Sequence, residues 1–241
     1  MPYRRLPNTD NARIKALRTA VERNKSLFGQ ERILLDIKNL EHILRTFETA
    51  RELYKVSLDV QASANRKLQK LAKNARLYTS HFIQVLNFCV IRNEIKKELK
   101  ELYGLDPDNF TVPDLISNEM LYKWGANIIK GEQTRINQGG TPIYNPTIAR
   151  VNVAFSLFSD AYIAQKTYQN NTARQLEALS MQRDDIDKTL CALWNQIEAH
   201  FAEKPQNERL LRCKEYGIVY YLRKGEKERA KKEELERSEN N

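Results

Sequence analysis

LEHILRTFETARELYKVSLDVQASANRKLQKLAKNARLYTSHFIQVLNFC, from Leu40 to Cys89, contains neither glycine nor proline. The same absence of helix breakers extends from Gln30 to Tyr103, where Leu, Ala, Lys, Arg, Glu and Gln dominate. Such a composition favours helix along its whole length. Within it Leu40, Phe47, Tyr54, Gln61, Leu68, Ala75, Phe82 and Cys89 follow one another at a spacing of seven, with Ile43, Ala50 and Val85 as intermediate positions. Long helices packed side by side present such a stripe to each other.

Working outward, a second breaker-poor segment carries a similar stripe: Ile148, Phe155, Tyr162, Gln169, Leu176, Arg183, Leu190 and Ile197. At the same offset Arg66 matches Arg174, Leu71 matches Leu179 and Asn87 matches Asn195, without a gap. The two segments also finish alike, at Tyr103-Gly104-Leu105 and at Tyr216-Gly217-Ile218. A helix that ends with glycine in the left-handed conformation, followed by an aliphatic residue folding back on the last turn, needs that order of residue types. The expectation is an all-α protein, an elongated helical bundle built from two related long-helix units, an internal repeat joined by a short structured connector. Whether each unit is one continuous helix or a hairpin is open. The usual helix length of about 20 residues favours a hairpin turning at QASANR (Gln61–Arg66) and QNNTAR (Gln169–Arg174).

The remaining punctuation divides the chain. Residues 1–29 form an N-terminal arm and a helix, which Asn8, Thr9 and Asp10 start after Pro7 and which runs to about Leu27. Residues 30–105 are the first helical repeat and 148–218 the second. Between them, 106–147 gathers Pro107, Pro113, Gly125, Gly131, Gly139, Gly140, Pro142 and Pro146 into a connector. One or two short helices are expected there, with Leu115, Leu121, Trp124, Ile128 and Ile129 packing against the bundle. Asn145 should cap the next helix, with Pro146 in its first turn. Residues 219–241 hold a short extended segment, part of IVYYL (Ile218 to Leu222), and a charged tail.

Composition narrows the function classes. With 241 residues, 41% of them apolar, the chain can bury a real core. No apolar run approaches the roughly 20 residues that span a bilayer, and MPYRRLPNTD lacks an apolar stretch of signal-peptide length. The cytoplasm is the expected compartment. Cys89, Cys191 and Cys213 are far apart with no C-x-x-C pair, and are expected as small apolar residues in a reducing environment. None of His42, His81 and His200 has a Glu three residues before it, so the Glu-x-x-His pattern of di-metal bundles is missing. No P-loop, GxGxxG or GxSxG occurs, and no cofactor is implied.

The formal charge of +9 raises nucleic-acid binding as a second reading. Its excess lies in the arm (Arg4, Arg5, Arg13, Lys15, Arg18, Arg23, Lys25) and in RKLQKLAKNAR, Arg66 to Arg76. On a helix Arg66, Lys70 and Lys73 share a side opposite Leu68, Leu71 and Ala75, the ordinary pattern of a solvated face opposite a buried one. Arg4, Arg5, Arg66, Lys67, Lys70 and Lys73 are the phosphate-contact candidates. Tyr220, Tyr221 and Arg223 are the candidates for an interaction surface, because aromatic residues beside cations suit a contact.

YRRLPNTD near the start, GEQTRINQGGTPIYNPTI in the middle and EYGIVYYLR near the end together resemble an uncharacterised family of bacterial, Bacteroidetes-type helical proteins. The resemblance implies a bacterial origin and carries no activity. The expected function is therefore non-enzymatic: a structural or interaction protein that binds another protein or a second copy of itself. Nucleic-acid binding is the alternative. A third is an enzyme with a pocket between the repeats, lined by Trp124, Glu132 and Arg135.

Overall fold

The computed structural model describes residues 3–28, 32–221 and Gly225. Among the described residues the protein is all-α apart from a two-residue strand pairing of Tyr3–Arg4 with Tyr220–Tyr221. Its elements are β1 (Tyr3–Arg4), α1 (Asp10–Lys25), α2 (Ile37–Ile91), a 3₁₀ helix (Lys97–Tyr103), α3 (Asn118–Asn137), α4 (Ile148–His200), α5 (Gln206–Glu215) and β2 (Tyr220–Tyr221). Among the described residues no helix is long and apolar enough to cross a membrane.

Both long segments are continuous helices of 55 and 53 residues, running straight through the polar stretches that favoured a turn. QASANR and QNNTAR contain no residue that forces the chain out of helix, and Ala62, Ala64 and Gln61 favour it. Thr172 turns its hydroxyl onto the carbonyls of Tyr168 (3.0 Å) and Ser57 (3.2 Å), so a polar side chain serves the packed face instead of a turn.

Of the two seven-residue stripes, the first is seen as expected: Leu40, Phe47, Leu68, Ala75, Phe82 and Cys89 are buried, and Tyr54 and Gln61 partly so. The second is displaced. The buried line of α4 is Val151, Phe158, Gln165, Thr172, Leu179, Ile186 and Leu193, while Gln169 and Leu176 are exposed. Positions three residues apart on a helix lie about 60° from each other, so the Ile148 stripe runs beside this line: Leu190 and Ile197 are buried as expected, and Ile148, Phe155, Tyr162 and Arg183 are half-buried.

The start and end signals are corrected in the same local way. Thr147, whose Oγ1 accepts from the Arg150 amide (3.4 Å), opens α4, so Asn145 and Pro146 precede the helix. At the other ends, α2 stops at Ile91 and α4 at His200, and the glycines close the short helices that follow. Gly104 has φ +72° and Gly217 φ +86°. The Gly104 amide donates to Glu101 O (2.9 Å) and that of Leu105 to Lys100 O (3.2 Å); Gly217 donates to Lys214 O (2.9 Å) and Ile218 to Cys213 O (3.4 Å). This is the expected cap on both sides.

Two compact units divide the chain. The first comprises residues 1–55 and 174–241, the second 56–173. In the first, Leu17, Ala20 and Val21 of α1 join Phe47 of α2, Ile186, Leu190, Trp194 and Ile197 of α4, Cys213 of α5 and Tyr216 in one apolar core. In the second, α3 supplies Leu121 and Ile128 to two clusters, one around Phe82, Leu86 and Tyr103 and one around Leu68, Ala72 and Phe158.

Candidate functional site

The polar chemistry of the first unit begins with α1. Asp10 and Arg13 sit one turn apart, facing Arg183 and Asp187 of α4. Arg183 donates to both carboxylate oxygens of Asp10 (2.9 and 2.8 Å), and Arg13 donates to both of Asp187 (2.8 and 2.8 Å). Two-pronged pairs of this kind fix orientation as well as distance. The Arg183 guanidinium lowers the Asp10 carboxyl below its ordinary value, against the opposing effect of burial. Arg23 pairs with Glu215 at the end of α5 (2.6 Å), while Arg18 and Lys25 reach Glu48 and Glu41 on α2.

The arm is tied down beside it. Tyr3 and Arg4 pair antiparallel with Tyr221 and Tyr220, and the Arg5 amide donates to Val219 O (3.2 Å). Arg4 is spent on Glu198 (3.1 Å) and Asn195, and the Tyr220 hydroxyl donates to the other oxygen of Glu198 (2.6 Å). Burial first, and then Glu198, raises the Tyr220 phenol above its ordinary value. Tyr220 therefore faces inward. Tyr221 stays exposed, its ring stacked on Tyr3 (6.0 Å between centroids) and approached by the Arg5 guanidinium (5.8 Å).

Five of the seven arm and α1 cations are thus paired: Arg4, Arg13, Arg18, Arg23 and Lys25. The other two, Arg5 and Lys15, have no ion pair among the described residues, and both line one groove of about 440 Å³. Lys214 of α5 lines the same groove, and among the described residues no carboxylate does. Leu6, Pro7, Ala12, Ala16, Ile218 and Trp194 supply the apolar lining. Trp194 is 1% exposed, and its indole N–H has no hydrogen-bond partner among the described residues. Gly217 makes the closure feasible, since a Cβ there would lie 3.2 Å from Thr19 Cβ and 3.4 Å from Ala16 O. The volume is that of a small ligand site or a peptide anchor, with an apolar floor and a few polar groups at its edge.

The other sequence candidates fall elsewhere. Arg66, Lys67, Lys70 and Lys73 are exposed on α2 in the second unit. Lys70 and Lys73 border a shallow depression of about 460 Å³ with Asn74, Arg76, Leu77 and Ser80. Arg76 is occupied there, donating to Leu115 O (2.7 Å) and Ile116 O (2.8 Å). Arg223 lies outside the described residues.

Glu132 and Arg135, offered as the lining of an enzyme pocket, are buried against each other. Arg135 donates to Glu132 (2.8 and 3.0 Å), to the Tyr103 hydroxyl (2.8 Å) and to Thr141 O (2.8 Å); Glu132 also accepts from the Ile143 amide (3.1 Å). Burial and the neighbouring carboxylate push the Tyr103 phenol well above its ordinary value. These groups satisfy one another and anchor the loop after α3, which accounts for the perturbation structurally. Sequence reading missed Lys15 as distinct from its paired neighbours and missed Lys214 and Trp194, because only the spatial pairing singles them out. Comparisons with protein-family models, curated proteins and solved structures find no match to the chain.

Proposed function

We propose that this is a non-enzymatic interaction protein that binds a protein partner through the groove of its first unit. The observation that carries the reading is selective pairing. Carboxylates neutralise five cations around α1, and the two left over meet Lys214 around an apolar floor. A cation that is merely solvated has no need of such a floor, whereas a partner offering an apolar group and negative charge would use both. A photo-cross-linking residue placed at Leu6 tests this in the cells that make the protein. The expected result is a discrete protein adduct that Lys15→Glu with Lys214→Glu abolishes and that the same cross-linker at Lys38, exposed on α2, does not give. No adduct, or one indifferent to the charge reversal, would overturn it.

A second reading, nucleic-acid binding, has the Lys70–Lys73 depression in its favour. Light scattering behind a sizing column, at low and high salt, with and without a mixed nucleic-acid pool, distinguishes it: a salt-sensitive mass shift supports this reading and its absence removes it.

The same proposal includes a duplicated build. Each long helix is preceded by a shorter one and followed by a short one closed by Gly, with the same pair of cap bonds. Asn24 of α1 accepts from the Ile33 amide (3.1 Å) as Glu132 of α3 accepts from Ile143 (3.1 Å), so a buried polar side chain holds the incoming loop in both. A cytoplasmic setting and a bacterial origin, the latter resting on the sequence resemblance, complete the reading.

A further inference from the structure

We infer that the groove takes a linear acidic segment with one large aliphatic anchor, the aliphatic side chain seated over Ala12, Ala16 and Ile218 and the flanking carboxylates meeting Arg5, Lys15 and Lys214. This rests on the interaction reading and names what the partner must present.

Three observations select this chemistry. The first is charge: among the described residues three cations and no carboxylate line the groove. The second is the depth of the apolar lining: Trp194 forms part of it and is itself only 1% exposed. What Trp194 contributes to the groove is apolar ring surface beside Leu6, Pro7, Ala12, Ala16 and Ile218, so a large aliphatic side chain seated there leaves water.

The third is the character of the apolar lining, which decides between a peptide and a single-stranded nucleic acid. Nucleotide bases stack on exposed aromatic faces. Trp194 is buried, and Tyr221, the one exposed ring at the groove among the described residues, already stacks on Tyr3 with Arg5 close by. What the groove offers is small aliphatic surface beside cations, which fits a Leu or Ile side chain between Glu or Asp residues. The runner-up partner would also be drawn by the charge, but the floor gives its bases nothing to stack on.

Trp194 serves as its own reporter, because the chain has two tryptophans and Trp124 belongs to the second unit. In a Trp124→Phe background, tryptophan emission is followed while adding a short peptide with a central Leu flanked by Glu on both sides. Parallel titrations use the same peptide with Leu changed to Ser, its Lys-for-Glu counterpart, and an oligothymidylate of similar length. The expected result is a saturable change in Trp194 emission with the acidic Leu peptide only. Its affinity should fall about tenfold or more in Lys15→Gln with Lys214→Gln, the loss of about 1.4 kcal/mol or more. Equal binding of the Ser peptide would overturn the anchor, and tighter binding of the oligothymidylate would overturn the choice of partner class. No response to the acidic Leu peptide, with the charge-dependent Leu6 adduct retained, overturns this ligand class and leaves the interaction reading standing. Loss of both overturns both.

Discussion

Replacing Glu132 by Ala removes the acceptor that Arg135, Tyr103 and the Ile143 amide share. Glu132 is 0% exposed and the Arg135 side chain 4%, so the guanidinium left behind has Thr141 O and the Tyr103 hydroxyl but no counter-charge, and water cannot replace the carboxylate freely. Breaking a buried ion pair from one side costs about 3–5 kcal/mol, most of it the stranded charge. At about 2–4 °C per kcal/mol for a chain of this size, Tm should fall by roughly 6–20 °C. Calorimetry on Glu132→Ala, Arg135→Met and the double variant Glu132→Leu with Arg135→Met reads the effect. Because the double variant strands no charge, it should recover most of the loss from Glu132→Ala. A Glu132→Ala variant within a degree or so of the parent, or a double variant no better than the single one, would refute the view that this network holds the loop after α3 by mutual satisfaction.

Three further outcomes are expected. Because pairing with Arg183 lowers the folded-state pKa of Asp10, the unfolded chain binds the extra proton as pH falls, so the pair stabilises the fold above the ordinary carboxylate value and its contribution is lost below about pH 4; urea unfolding from neutral pH downward should show a shallower acid loss in Asp10→Asn, and an unchanged slope would contradict this. Gly104→Ala and Gly217→Ala each force an L side chain into the left-handed region and should each cost roughly 1–2 kcal/mol in chemical denaturation; a neutral result at either would remove the cap argument there. Gln165 is 5% exposed on the buried line of α4, with Oε1 unpartnered among the described residues, so Gln165→Leu should stabilise by about 1 kcal/mol in the same assay, and a loss would show that the oxygen has a partner.

Much of the fold was legible because it is written locally. Thr9 capping α1, the left-handed glycines after Tyr103 and Tyr216, and the α2 stripe each depend on residues within a turn or two of one another. The register of α4 was not, since choosing Ile148 over Val151 by residue type selects between two flanks of one face, and only the packing partner decides. Helix continuity stayed open in the sequence, because an average helix length favours a turn while QASANR and QNNTAR contain no breaker to make one. The groove was hardest to see. Arg5 was a candidate beside Arg4, but Lys15 and Lys214 look like any other cation in a chain with 40 Lys and Arg, and the carboxylates that neutralise Arg4, Arg13, Arg18, Arg23 and Lys25 are what leave Arg5 and Lys15 apart.

Amide hydrogen exchange on the full chain, with and without the acidic Leu peptide, tests most directly where the protein meets its partner. The groove account expects new protection confined to residues 5–19 and 214–221. Protection over Arg66–Arg76 instead, or no change along the groove at saturating peptide, would contradict it.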